Sequence, residues 1–118
     1  MIEILIPNFK FEDERGKLIQ LVREGYKQVN VIFSKKGVIR GNHYHKINQE
    51  MFYIISGKFC LMVELGNRRE EYIFQTGDMF KIKPFVKHSF EFLEDTTLVS
   101  LYDKGVELSE MEKDIYTE

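Results

Sequence analysis

The sequence predicts an all-β protein, and three observations predict it. Short runs alternate apolar and polar residues with a period of two, most clearly Lys58-Phe-Cys-Leu-Met-Val-Glu-Leu65, which puts Phe59, Leu61, Val63 and Leu65 on one face. Turn signals recur at Glu14-Arg15-Gly16, Ser34-Lys35-Lys36-Gly37, Ser56-Gly57, Gly66-Asn67 and Thr76-Gly77-Asp78. The distance between those signals leaves room for many short antiparallel strands, hence a sandwich or a jelly-roll barrel.

In chain order, Val29, Val31 and Phe33 alternate on one strand face, Tyr72 and Phe74 on another, and Phe80 and Ile82 on a third. Ser34-Lys35-Lys36 reads as a solvated hairpin tip. Glu50-Met-Phe-Tyr-Ile-Ile55 differs by being apolar on both faces. One face lines the interior, and the outer face of Met51, Tyr53 and Ile55 also needs cover, because monomers rarely expose a large contiguous apolar patch. A homodimer pairing on that face is the expectation. Val106 to Ile115 carries the chain's only helical periodicity.

Composition bounds the class. At 118 residues there is room for one domain, spanning 1–118. With 43% hydrophobic and 14% aromatic residues the chain folds rather than staying disordered. A net charge of −2 with no basic stripe argues against nucleic acid. The single cysteine, Cys60, excludes an internal disulfide framework. Met1-Ile-Glu-Ile-Leu-Ile-Pro7 is too short and too poor in basic residues to be a leader or a membrane span, so a cytoplasmic location is expected.

All three histidines fall in one constellation. In a strand His43 and His45 face the same way, about 7 Å apart. Lys46-Ile47-Asn48-Gln49 is short enough for a hairpin turn, after which Glu50 opens a returning strand with its carboxylate opposite both rings. A later strand starting at His88 brings in a third imidazole. Three nitrogens and one oxygen, with positions left for water or substrate, suit a divalent metal: iron, nickel, zinc or manganese. Phe90 and Phe92 share the parity of His88 and would wall the cavity. Strict alternation puts Arg40 on the face opposite His43, unless a bulge at Gly41 reverses it.

Gly37 to Gly57, with His43, His45 and Glu50 between them, resembles the first cupin motif at every defined position, and Gly77 to His88 matches the spacing of the second. The second motif, within 77–92, departs at Lys83, Phe85 and Phe92, where cupins usually carry Pro, Gly and Asn. The resemblance implies a cupin jelly-roll barrel. Phe11-Glu-Asp-Glu-Arg15-Gly16 and Gln28 to Tyr44 are further similar to dTDP-4-dehydrorhamnose 3,5-epimerases, and Arg40 to Lys46 to dTDP-sugar 3,4-ketoisomerases. Those resemblances imply an isomerase or epimerase of a nucleotide-linked keto sugar in surface polysaccharide synthesis. His43 would be the general base, and Arg15 and Arg40 would meet the diphosphate. At position 50 the epimerases place Lys, the ketoisomerases Gln and the metal cupins Glu, and this chain has Glu50. It therefore resembles a sugar-type cupin with a complete metal ligand set. The alternative is a metal-binding cupin with a non-sugar role, in ligand sensing or metal-dependent oxidation.

Overall fold

Alternating strands bury their apolar faces only against another sheet, and two sheets facing each other form here. The structure is a computed structural model and describes residues 1–117. Its strands are β1 (Ile2–Leu5), β2 (Phe9–Asp13), β3 (Gly16–Gln20), β4 (Gln28–Ser34), β5 (Ile39–His43), β6 (Glu50–Ser56), β7 (Lys58–Leu65), β8 (Arg68–Gln75), β9 (Met79–Ile82), β10 (Lys87–Phe92) and β11 (Thr96–Tyr102). One sheet runs β1-β9-β6-β11-β4, the facing one β5-β10-β7-β8, and β2-β3 is a separate hairpin. All pairings are antiparallel. Among the described residues no helix is long and apolar enough to cross a membrane.

The core between the sheets is aromatic. Phe52 and Phe80 from one sheet meet Phe59, Phe74, Phe90 and Phe92 from the other, with Ile54, Leu61, Val63, Ile82 and Leu98 filling the gaps. Phe74 stacks on Phe80 at 4.2 Å between centroids, and Phe59 meets Phe90 at 5.1 Å. Each such ring taken fully out of water is worth roughly 1.5–3 kcal/mol. Phe59, Leu61 and Val63 are buried as their alternation predicts, while Leu65 at the strand end is exposed.

Four expectations need correction. The residues between β5 and β6 are no hairpin turn: β5 and β6 belong to opposite sheets, so Glu50 faces the histidines across the barrel rather than along one sheet. The outer face of β6 is covered within the chain. Met51 packs with Met79 and Leu101 under Leu5, Leu21, Val22 and Tyr26, leaving only Ile55 well exposed. On β4 the apolar parity points outward, with Phe33 70% exposed, and the inward parity is Asn30, Ile32 and Ser34. Ser34 is therefore buried rather than part of a solvated tip. Residues 106–115 form no helix, because their backbone groups are engaged elsewhere: Val106 N–H donates to Gln28 Oε1 at 2.8 Å and Val106 O accepts from Asp114 N–H at 2.8 Å.

Candidate functional site

Beside the aromatic cluster the barrel interior turns polar, with His43, Glu50 and His88 on a cavity shared with Phe52, Phe90 and Phe92. β5 delivers its residues through a bulge. His43 pairs with His88 and Gly41 pairs with Ser89, so Asn42 is the extra residue. Gly41 (φ 94°) and Asn42 (φ 61°) both take left-handed conformations, which Gly and Asn tolerate best. One unpaired residue shifts side-chain parity by one. Arg40, paired with Phe90, and His43, paired with His88, consequently line the same cavity.

That cavity holds about 160 Å³ and is lined by Ile32, Arg40, His43, Glu50, Phe90 and Tyr102 among others. It lies below the roughly 300–1,000 Å³ of drug-sized ligand sites. Its guest is therefore small, or enters by one end only. Arg40 Nε donates to Ser34 Oγ at 2.8 Å, which anchors the guanidinium on the wall.

At the polar end, His45 Nδ1 donates to the backbone carbonyl of Asp114 at 2.6 Å, and His88 Nδ1 to that of Val86 at 3.0 Å. A carbonyl only accepts, so both rings must carry the proton on Nδ1 and aim Nε2 inward. Both Nε2 atoms converge on one oxygen: Glu50 Oε1 is 3.0 Å from His45 and 3.5 Å from His88. Glu50 Oε2 accepts from Ser100 Oγ at 2.6 Å. One proton held by His45 satisfies the shorter contact. His88 Nε2 remains buried with no hydrogen-bond partner, a costly arrangement for a nitrogen facing a carboxylate.

Electrostatics follow from this crowding. Burial, then the neighbouring charges of His88 and His45, pull His43 down to about 4, so its ring is neutral with a free lone pair. Burial alone would lower His45 too, but the hydrogen bond and charge of Glu50, aided by Asp114, outweigh it and hold His45 above its ordinary value. Burial opposes ionisation of Glu50, yet its contacts with His45 and His88 win and keep it well below the usual carboxylate range. Burial first, and then the Glu50 charge, push the Tyr102 phenol up, so it stays protonated.

The ligand atoms of His43, His45, Glu50 and His88 all lie within 4.8 Å of one another. A cation between them would satisfy the orphaned His88 nitrogen and the shared carboxylate oxygen together, and a three-nitrogen, one-oxygen set fits a divalent transition metal.

Residues 11–109 match the profile of the family described as polysaccharide biosynthesis C-terminal domain. The chain belongs to that family. Among solved structures it is similar to the TDP-quinovose 3,4-ketoisomerase WlaRB of Campylobacter jejuni, with a TM-score of 0.83 and 20% identity over 99% of this chain and 92% of that one. It is also similar to a variant of the 3,4-ketoisomerase QdtA of Thermoanaerobacterium thermosaccharolyticum, in complex with TDP-4-keto-6-deoxyglucose. There the TM-score is 0.80 and the identity 18%, over 99% of this chain and 87% of that one. The dTDP-4-dehydrorhamnose 3,5-epimerase of Sulfolobus tokodaii is more distant in shape, at TM-score 0.71 and 22% identity over 86% and 69%. These likenesses show the fold, a cupin-like barrel of antiparallel strands. No curated protein sequence matches the chain.

In this polysaccharide biosynthesis domain the structure gathers His43, His45, Glu50, His88, Arg40, Phe90 and Phe92 at one cavity and its polar end. It does not bring Arg15 there. Arg15 sits in the β2–β3 turn, 79% exposed, with its guanidinium on Asp13 at 2.6 Å. A single carboxylate two residues away competes for it locally, and the hairpin stands apart from both sheets. Sequence reasoning missed Ser34, Ser100, Tyr102 and Asp114. Ser100 and Tyr102 share the inward parity of Leu98 on β11, a signal readable once β11 is known to pair with β6 and set Tyr102 against Glu50. Phe85, where cupins usually carry Gly, keeps a glycine-like φ of 69° and donates its N–H to the His45 carbonyl.

Proposed function

We propose that this polysaccharide biosynthesis domain is an isomerase or epimerase of a nucleotide-linked keto sugar, with His43 as the general base. The observation that carries this reading is the bulge at Asn42, through which a neutral imidazole and a guanidinium meet on one apolar-walled cavity. The likeness to 3,4-ketoisomerases, one of them in complex with TDP-4-keto-6-deoxyglucose, supports it.

The cavity accommodates the sugar end of such a substrate, and the nucleotide lies outside it. Arg40, held by Ser34, meets the diphosphate at the mouth with a planar, always charged group. His43 takes the proton from the carbon next to the ketone, and the C–H electron pair moves to the carbonyl oxygen, giving an enolate. Return of a proton to the other face of the same carbon epimerises it. Return to the former carbonyl carbon, with the neighbouring hydroxyl's proton passing to the enolate oxygen, moves the ketone along the ring and leaves a hydroxyl where the ketone was. Both outcomes are redox-neutral. Phe90 and Phe92 exclude water and strengthen the charges within. Tyr102, on the same wall and kept protonated, is positioned to return or share a proton.

His45, Glu50 and His88 would hold a divalent cation, which when bound supplies Lewis-acid stabilisation of a developing oxyanion. His43 has one lone pair and cannot serve as base while ligating. This separates the sugar reading from a second one, a four-residue metal centre with a non-sugar role, which the orphaned His88 nitrogen favours. The experiment is solvent deuterium incorporation into a panel of dTDP-4-keto-6-deoxy sugars, with metal analysis of protein purified without a chelating tag. Incorporation by wild type that disappears in His43→Asn supports the isomerase. No incorporation across the panel, together with metal that His43→Asn fails to retain, moves the assignment to the non-sugar metal centre.

A further inference from the structure

We propose that Asp114, on the segment after the last strand, is a positioning residue for His45, fixing that ring's tautomer and its aim at Glu50. Asp114 is fully buried although charged. Its carboxylate accepts the backbone N–H groups of three consecutive residues, Lys46 at 2.8 Å, Ile47 at 3.0 Å and Asn48 at 2.9 Å, and the Asn48 side-chain amide at 2.9 Å. Successive backbone N–H groups converging in this way form a concavity suited to an anion, and here the anion belongs to the chain itself. The backbone carbonyl of the same residue accepts from His45 Nδ1 at 2.6 Å.

The two contacts act together. His45 and Glu50 flank the segment that the Asp114 carboxylate holds, so its shape sets the 3.0 Å approach of His45 Nε2 to Glu50 Oε1. Neither β5 nor β6 can set it, because they lie in opposite sheets and, among the described residues, the chain between them has no strand partner except the Tyr44–Tyr116 bridge. That bridge draws on the same C-terminal segment. Asn48 ties it further, donating to the Gly105 carbonyl at 2.8 Å and accepting from Lys104 N–H at 3.0 Å. A partner that orients a site histidine through its second nitrogen typically changes affinity or activity on the order of 10- to 100-fold when removed. Asp114 orients its histidine with a backbone carbonyl and positions that carbonyl with its side chain, so a side-chain substitution reports on both.

The test reads the ring directly. In the metal-free full chain, at alkaline pH with a chelator present, long-range 1H–15N correlations assign each histidine's tautomer. Wild type is expected to show Nδ1–H at His45, with a scalar coupling across the hydrogen bond to the Asp114 carbonyl carbon. In Asp114→Asn, which turns an N–H donor towards the three amides, His45 is expected to lose that coupling and to populate Nε2–H. His88, bound to Val86 instead, should not change and is the internal control. Phe74→Leu, a core change outside the cavity lining, should lower stability without moving the His45 tautomer. Wild type lacking the coupling, or Asp114→Asn keeping Nδ1–H at His45 while the signals of residues 46–48 shift, would overturn the proposal. The wild-type measurement decides even where Asp114→Asn does not fold. A further arm rests on the proposed isomerase: kcat falling on the order of ten-fold in Asp114→Asn with KM little changed. Failure of that activity in wild type leaves the tautomer result readable.

Discussion

Gly41 is the residue on which the candidate site turns. A Cβ built there would lie 2.9 Å from the His88 carbonyl oxygen, at a φ of 94° that L side chains avoid. Gly41→Ala should therefore cost about 1–3 kcal/mol and return Arg40 towards the outer face, read as a lower denaturant midpoint and lost substrate binding. Phe85 shows the same conformation without glycine's freedom. Of two truncations at that position, Phe85→Gly should be more stable than Phe85→Ala by about 1 kcal/mol, the reverse of the usual order, because only the φ preference separates them. Equal midpoints for the pair would show that the turn relaxes. Glu50 is the residue that separates a proton from a metal as the occupant of the site. If a divalent ion sits there, Glu50→Gln should lower the metal recovered per chain while leaving the strands intact by circular dichroism, since a neutral amide removes the one anionic ligand.

At the scale of elements, β4 turns its apolar face outward. Val29, Val31 and Phe33 face solvent, and the β2–β3 hairpin exposes Phe9, Phe11 and Leu18. The proposed homodimer is better placed on these apolar surfaces than on the outer face of β6, which residues 21–26 already cover. Light scattering at micromolar concentration should give a dimer for wild type. Val31→Glu should shift it to monomer with little change in the monomer's own stability, because that side chain is 54% exposed and belongs to neither core cluster. A wild-type monomer would remove the assembly proposal.

At the scale of the whole molecule, the crowded polar end should make stability depend on pH in two opposing ways. With a chelator present, His43 is held at about 4 against 6.5 unfolded. Between those values the unfolded chain binds a proton that the folded one refuses. The His43 contribution is thus fully present above pH 6.5 and lost as pH falls through about 4. Glu50, held below 4.5, adds a loss at still lower pH. His45, held above 6.5, acts oppositely: its contribution is present below pH 6.5 and is lost as pH rises through its folded value. Thermal midpoints across pH should show wild type weakening from pH 6.5 down to 4, and His43→Asn weakening less over that same interval. Identical profiles would mean that His43 is not buried neutral.

What the sequence determined by itself was the all-β class, the union of His43, His45, Glu50 and His88, and the wall of Phe90 and Phe92. The class and the shared parity of His88, Phe90 and Phe92 follow from the two-residue period, while the union of His88 with the residues near position 45 came with the resemblance to the two cupin motifs. The apolar parity of β4 was just as legible, yet its direction was not, because alternation names a face without saying which way it points. Only the tertiary structure decided that Glu50 faces the histidines from the opposite sheet, that Asn42 is the bulged residue which turns Arg40 inward, and that Arg15 stays outside with Asp13. It also brought Ser100, Tyr102 and Asp114 to residues fifty or more positions away. Those placements depend on register and on which sheet a strand joins, set by the packing of distant segments, and neither is encoded in local periodicity.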